Sequence, residues 1–202
     1  AADKASEKYG VEIIFTCPVV EIRRVVEATK HIHVFAPHMD PIPVGRGTAD
    51  TLAEALVAAG AEGTQLNHVE KPLDFDTLAA TIARAKEVGL MTMVCADSMA
   101  EASKIAALKP TCVVAEPSEL IGTGVSVGPE YVAAAFECVK SVDQDVLVLT
   151  AAGISNGEDV YNTIIAGADA TGSSSGVAKA ADRPAMVDEM IAAVRRAWDA
   201  RH

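Results

Sequence analysis

Two hydrophobic periods alternate along the chain. Short, β-branched apolar runs recur at residues 11–16, 31–36, 63–67, 91–96, 111–115, 146–150 and 168–173, the length and composition of strands covered on both faces. Between them the apolar positions follow a helical period. Leu52, Ala55, Leu56 and Ala59 keep one face, as do Leu78, Ile82 and Ala85, Tyr131, Ala134, Ala135 and Cys138, and Val187, Ile191, Val194 and Trp198. Each set predicts a helix that buries one stripe against a sheet. Ser98 with Glu101 and Ser155 with Glu158 have the spacing of a capping box, in which side chain and backbone donors are satisfied reciprocally. Residues 1–10 read as the last turns of a helix ending at a Gly10 C-cap, so the sequence opens after a strand rather than with one. Unbroken alternation of strand and helix predicts an α/β fold with a parallel sheet, either doubly wound or closed into a barrel. Seven strands are visible. In an eight-stranded barrel the absence of the first would leave the strands near Val11 and Ala168 as unpaired neighbours, each with a row of unmet backbone groups.

Composition narrows the class. A chain of 202 residues that is 50% hydrophobic suits one domain, residues 1–202, with a substantial core. There is no internal repeat beyond the βα period and no linker that would divide it. No apolar run approaches the roughly 18 residues that span a bilayer. The opening residues lack the pattern of a signal peptide, so a cytoplasmic location is expected. The net charge of −11 argues against nucleic-acid and anionic-membrane partners, although backbone N–H groups in a local pocket can still hold a phosphate. Cys17, Cys95, Cys112 and Cys138 stand singly in apolar stretches with no C-x-x-C spacing, which predicts buried reduced thiols and no metal site.

Two residues stand where a predicted strand runs out into a loop: His68 after 63–67 and Glu116 after 111–115. Alone, a histidine in that place is more often a hydrogen-bonded core residue than a catalyst. Glu116 is the stronger candidate, because it follows Val113-Val114-Ala115 and precedes Pro117, where an unpaired carboxylate is costly without a partner or a task. Together, an imidazole and a carboxylate at strand ends can move a proton between adjacent carbons of a small carbonyl compound. The small-residue segments around Gly153 and Gly176 suit backbone contacts to a phosphate, and Ser173–Ser175 also reads as a plain turn. His31, His33 and His38 flank the second visible strand and read as structural or surface residues.

Four strings occur in order: Asn67-His68-Val69-Glu70-Lys71, Ala115-Glu116-Pro117 through Gly122-Thr123-Gly124, Ala152-Gly153-Ile154-Ser155-Asn156-Gly157-Glu158-Asp159, and Ser174-Ser175-Gly176-Val177. Together they resemble the triosephosphate isomerase family, in particular its short archaeal-type branch, over nearly the whole chain. The resemblance implies a (β/α)8 TIM barrel and a cofactor-free isomerase of glycolysis and gluconeogenesis. Its substrates would be the small sugar phosphates dihydroxyacetone phosphate and D-glyceraldehyde 3-phosphate, interconverted through an enediolate. It also implies a homodimer or homotetramer, with Thr48 in a loop that reaches a neighbouring subunit. Glu116 would be the base and His68, as neutral imidazole, would polarise the carbonyl. Residues 117–124 would form a lid with Ile121 over the site and Pro117, Gly122 and Gly124 as hinges. Ile121, Gly122, Gly153, Ser174, Ser175 and Gly176 would contact the substrate or hold its phosphate. Glu119 would be a solvated lid charge, and Glu158 and Asp159 caps of a helix. The chain departs from the family pattern in three places. It shows no Asn-x-Lys motif at a strand end, Lys4 and Lys8 lying in the helix tail; Val69 stands where the family has serine; and Lys71-Pro72 replaces a basic pair. These leave open an isomerase of another small sugar phosphate, or an impaired phosphate-binding homologue.

Overall fold

The computed structural model describes residues 1–120, 123–124 and 126–202, which fall into two compact units. The chain opens with helix α1 (Ala2–Tyr9), which closes on Gly10 in the left-handed conformation (φ 60°), as the terminal glycine predicts. This helix belongs to the larger unit, residues 1–11 and 96–202.

The smaller unit, residues 12–95, contains β1 (Ile14–Thr16), α2 (Ile22–Ala28), β2 (His33–Ala36), α3 (Ala53–Ala59), β3 (Gly63–Leu66), α4 (Phe75–Glu87) and all but the last residue of β4 (Met91–Ala96). Its strands pair in parallel and in chain order, through Phe15 with Val34, Phe35 with Gly63 and Leu66 with Val94. No reversal of order interrupts them, which is the barrel pattern rather than the doubly wound one. Gly63 shows how tightly the strands meet: a Cβ there would lie 2.4 Å from the ring of the buried Phe35, so only glycine admits that ring. The core gathers Ile22, Phe35, Met39, Leu56, Leu66, Leu78 and Ile82. On α4 the side chain of Asp74 caps the first turn by accepting from the Thr77 N–H, and Leu78, Ile82 and Ala85 are buried as their spacing predicts.

In the larger unit follow α5 (Met99–Ala106), β5 (Cys112–Ala115), α6 (Pro129–Lys140), β6 (Leu147–Thr150), α7 (Gly157–Ile165), β7 (Ala170–Thr171), the single turn α8 (Ser175–Ala178) and α9 (Arg183–Arg201). β5, β6 and β7 are again parallel and sequential, with Ala115 level with Thr150 and Thr150 level with Thr171. α9 packs on α7 and α1, and Lys8 and Tyr9 both bond the Asp188 carboxylate. Lys8 is therefore occupied on the helix layer. All seven strands and the α/β class agree with the sequence reading; among the described residues no helix is long and apolar enough to cross a membrane.

Several local expectations are corrected. On α6 the buried stripe is Val132, Ala135 and Val139, leaving Tyr131 and Cys138 half-buried and Ala134 exposed. A shift of one residue turns a helix by about 100°, and the larger valines decide which face turns inward. On α9 the buried stripe is Met190, Ala193 and Ala197, the two alanines letting a neighbouring helix approach, while Trp198 stays exposed. The cap of α5 forms at Ser98, but Glu101 reaches back to the N–H of Asp97 instead of that of Ser98. At α7 the cap is Asn156, which accepts from the N–H groups of Glu158 and Asp159, while Asp159 accepts from Ser155 N–H. Amide and carboxylate thus displace the serine by one position. All four thiols are free, and Cys138 is only half-buried.

Candidate active site

In the smaller unit β3 stops at Leu66 because Asn67 turns left-handed (φ 58°), a conformation asparagine tolerates better than most side chains. Its amide fixes the turn. Nδ2 donates to the carbonyl of Cys95, 3.0 Å away at the end of β4, and Oδ1 accepts from the Leu73 N–H at 2.9 Å. His68 is thereby presented directly beyond the carboxyl end of its strand, half-buried. Its Nδ1 accepts from the Glu70 N–H at 3.3 Å, with the Glu70 carboxylate at 3.6 Å. An Nδ1 that accepts leaves the proton of a neutral ring on Nε2. His38, by contrast, is buried against Asp40 at 2.9 Å, a structural residue as expected, and His33 is bracketed by Glu12 and Glu62.

In the larger unit all four residues of β5 are buried, and Glu116 follows them half-buried, its N–H bonded to the carbonyl of Ala96 at 3.0 Å. Pro117 is buried, and Ser118 N–H donates to Asp97 Oδ1 at 2.6 Å. Ser118–Leu120 form one tight turn that leaves Glu119 exposed, as a solvated charge should be. Ile121 and Gly122, expected over the site and at the phosphate, lie outside the described residues. Gly124 has φ 77°, and a Cβ there would come 3.6 Å from Ser155 Oγ, which brings the far end of residues 117–124 to the loop after β6.

That loop and the one after β7 are locked to each other. Gly153 is left-handed (φ 76°), and the Ser155 hydroxyl donates back to its carbonyl at 2.9 Å. The Ser173 hydroxyl donates to the carbonyl of Ile154 at 2.7 Å, and a Cβ on Gly176 would sit 2.7 Å from that same carbonyl oxygen. Only glycine at 176 allows so close an approach. Gly153, Ser174, Ser175 and Gly176 are therefore gathered at the carboxyl ends of β6 and β7, level with the end of β5 that carries Glu116. The edge is built of small side chains, so backbone N–H groups stay accessible to an anion. Two contributors escaped the sequence reading. Asn67 was signalled by its place between a strand and a histidine, and Ser173 was read only as a turn.

The comparisons with known proteins point to one family. The family model for triosephosphate isomerase matches residues 1–193. Triosephosphate isomerase of Sulfolobus acidocaldarius is 37% identical over 202 residues, covering 98% of this chain and 87% of that protein. The Methanocaldococcus jannaschii enzyme of the same name is 39% identical over 193 residues, 94% of this chain and 88% of that protein. The Saccharolobus solfataricus one is 36% identical, over 96% of this chain and 86% of its own length. A match over nearly the whole chain, together with parallel strands that end in an acid and in small-residue loops, places the chain in the triosephosphate isomerase family.

Proposed function

We propose that the chain interconverts dihydroxyacetone phosphate and D-glyceraldehyde 3-phosphate, with Glu116 as the base and His68 as the electrophile. The observation that carries this reading is the common edge of β5, β6 and β7, which puts a half-buried carboxylate level with two interlocked loops suited to a phosphate. With the phosphate on those loops, Glu116 takes a proton from the carbon beside the carbonyl and returns it to the neighbouring carbon. His68 donates from Nε2 to the oxygens of the enediolate, where charge develops. Residues 117–124 exclude water while the intermediate exists. The expected single domain, residues 1–202, is part of this reading. The protein works without a cofactor, in the cytoplasm, as a homodimer or homotetramer, in glycolysis and gluconeogenesis.

Replacing Glu116 by Gln should lower turnover in a coupled triose phosphate assay by about three or more orders of magnitude while leaving thermal unfolding nearly unchanged. Undiminished turnover would remove Glu116 from the mechanism. One observation favours a second reading, an impaired phosphate-binding homologue: Lys8 is tied to Asp188, and Lys4 lies exposed on the same helix, so α1 supplies no cation to the phosphate. A complete protein that binds 2-phosphoglycolate yet turns over no triose phosphate would establish that reading.

A further inference from the structure

Tyr131 lies in the first turn of α6, its N–H bonded to the Gly128 carbonyl, and its ring is half-buried. Its hydroxyl oxygen is fully buried and has no hydrogen-bond partner among the described residues. An orphaned buried hydroxyl is rare, because its desolvation is left uncompensated. The charges that act on it at longer range are mostly acidic and come from several elements: Asp97 beyond β4, Glu119 in the turn after Pro117, Glu116 beyond β5, and Cys138 on its own helix. Burial first, and then these charges, push the phenol up to about 12, so it keeps its proton wherever the enzyme works.

The three carboxylates are not equivalent partners. Asp97 is exposed and already accepts from the Ser118 N–H, and Glu119 is exposed and hydrated. Glu116 is half-buried, the least hydrated of the three, and so gains most from a phenol donor. Val69, the residue after His68, is apolar and has no side-chain hydrogen bond to offer. We propose that Tyr131 is a positioning residue for the reaction: its hydroxyl donates to the Glu116 carboxylate when that side chain turns towards it, and so sets both its orientation and its basicity. The inference rests on Glu116 being the base. A donor held by a helix layer fixes the carboxylate without touching substrate, and it favours the ionised form that must accept the proton.

The test is the pH profile of kcat/KM for glyceraldehyde 3-phosphate in the full chain. Tyr131→Phe should lower kcat about tenfold, leave KM within about twofold and move the acid limb up by about one pH unit. Replacement of Tyr131 by 2,3-difluorotyrosine keeps the ring and makes the phenol a stronger donor, so the acid limb should move down; this arm also serves if the phenylalanine variant fails to fold. An acid limb unmoved in the folded variants overturns the proposal, even if kcat falls, because a merely structural tyrosine would lower activity without shifting it. Glu116→Gln separates the two levels of the argument. If that variant keeps its turnover, the base assignment and this inference both fall; if it is dead and the limb stays fixed, only the role of Tyr131 is lost.

Discussion

Asn67 carries more of the site than its two neighbours in the motif suggest. It ends a buried strand by adopting a left-handed backbone, and the same side chain bonds the Cys95 carbonyl and the Leu73 N–H. Both bonds are made in a part-buried setting, where leaving a backbone group unmet costs about 1–3 kcal/mol. Asn67→Ala removes both and places an alanine at positive φ, so unfolding in urea should show a loss of about 2–4 kcal/mol. KM for the triose phosphates should change less than kcat, since His68 loses its orientation while the phosphate loops after β6 and β7 stay intact. Unaltered stability would mean that the turn is held by its backbone alone. At this scale the sequence was informative where chemistry is local. Glu116 stands out between a buried strand and a proline, and glycines mark the loops after β6 and β7; the burial of the Tyr131 hydroxyl does not show, because it depends on how α6 packs and not on the residues beside it.

At the scale of elements, the amino ends of adjacent strands in the smaller unit are clamped by charge. His33 opens β2, and its two ring nitrogens contact Glu62, just before β3, at 2.8 Å and Glu12, just before β1, at 2.7 Å. The hydrogen bond to Glu62 raises the imidazole above its ordinary value, against the opposing effect of burial and with the help of Glu12. A raised value in the folded state means the stabilisation is complete below the unfolded value of about 6.5 and is lost as pH rises through the higher folded value. The stability difference between the natural chain and His33→Gln should therefore be widest below about pH 6.5 and shrink as pH rises through the raised folded value; a difference that ignores pH would dismiss the charged clamp. The same elements show what periodicity can and cannot fix. Strand positions were legible because the apolar runs are continuous, with both faces buried in β4 and β5. The inward face of α6 and of α9 was not, because alanine fits either side of a helix and only the neighbouring layer selects Val132 and Val139, or Ala193 and Ala197.

The whole molecule was legible as an alternation of strand and helix and as four ordered motifs, since a parallel sheet needs one helix per crossover whatever the sequence detail. The expected association of copies would rest instead on a loop. Between β2 and α3 the chain makes a long excursion whose base is clasped: Asp40 N–H donates to the Thr51 carbonyl at 3.0 Å, and Thr51 N–H returns a bond to the Asp40 carboxylate at 2.7 Å. Burial pushes that carboxyl up, yet the Thr51 N–H and His38 outweigh it and hold it below the usual range, so the clasp stays charged near neutral pH. Beyond the clasp Gly47 has φ 139°, a conformation that side chains rarely adopt, and Val44 projects with 70% of its surface exposed. A loop shaped in advance and tipped with an apolar residue gives up little conformational freedom on docking. This is the loop that carries Thr48, the residue expected to reach a neighbouring subunit. Val44→Asp should lower the mass measured by light scattering at micromolar concentration towards that of one chain, with the secondary structure of the protomer unchanged. If the mass of the assembly stays the same, copies of this chain associate through another face, and the clasp serves only to close the loop on itself.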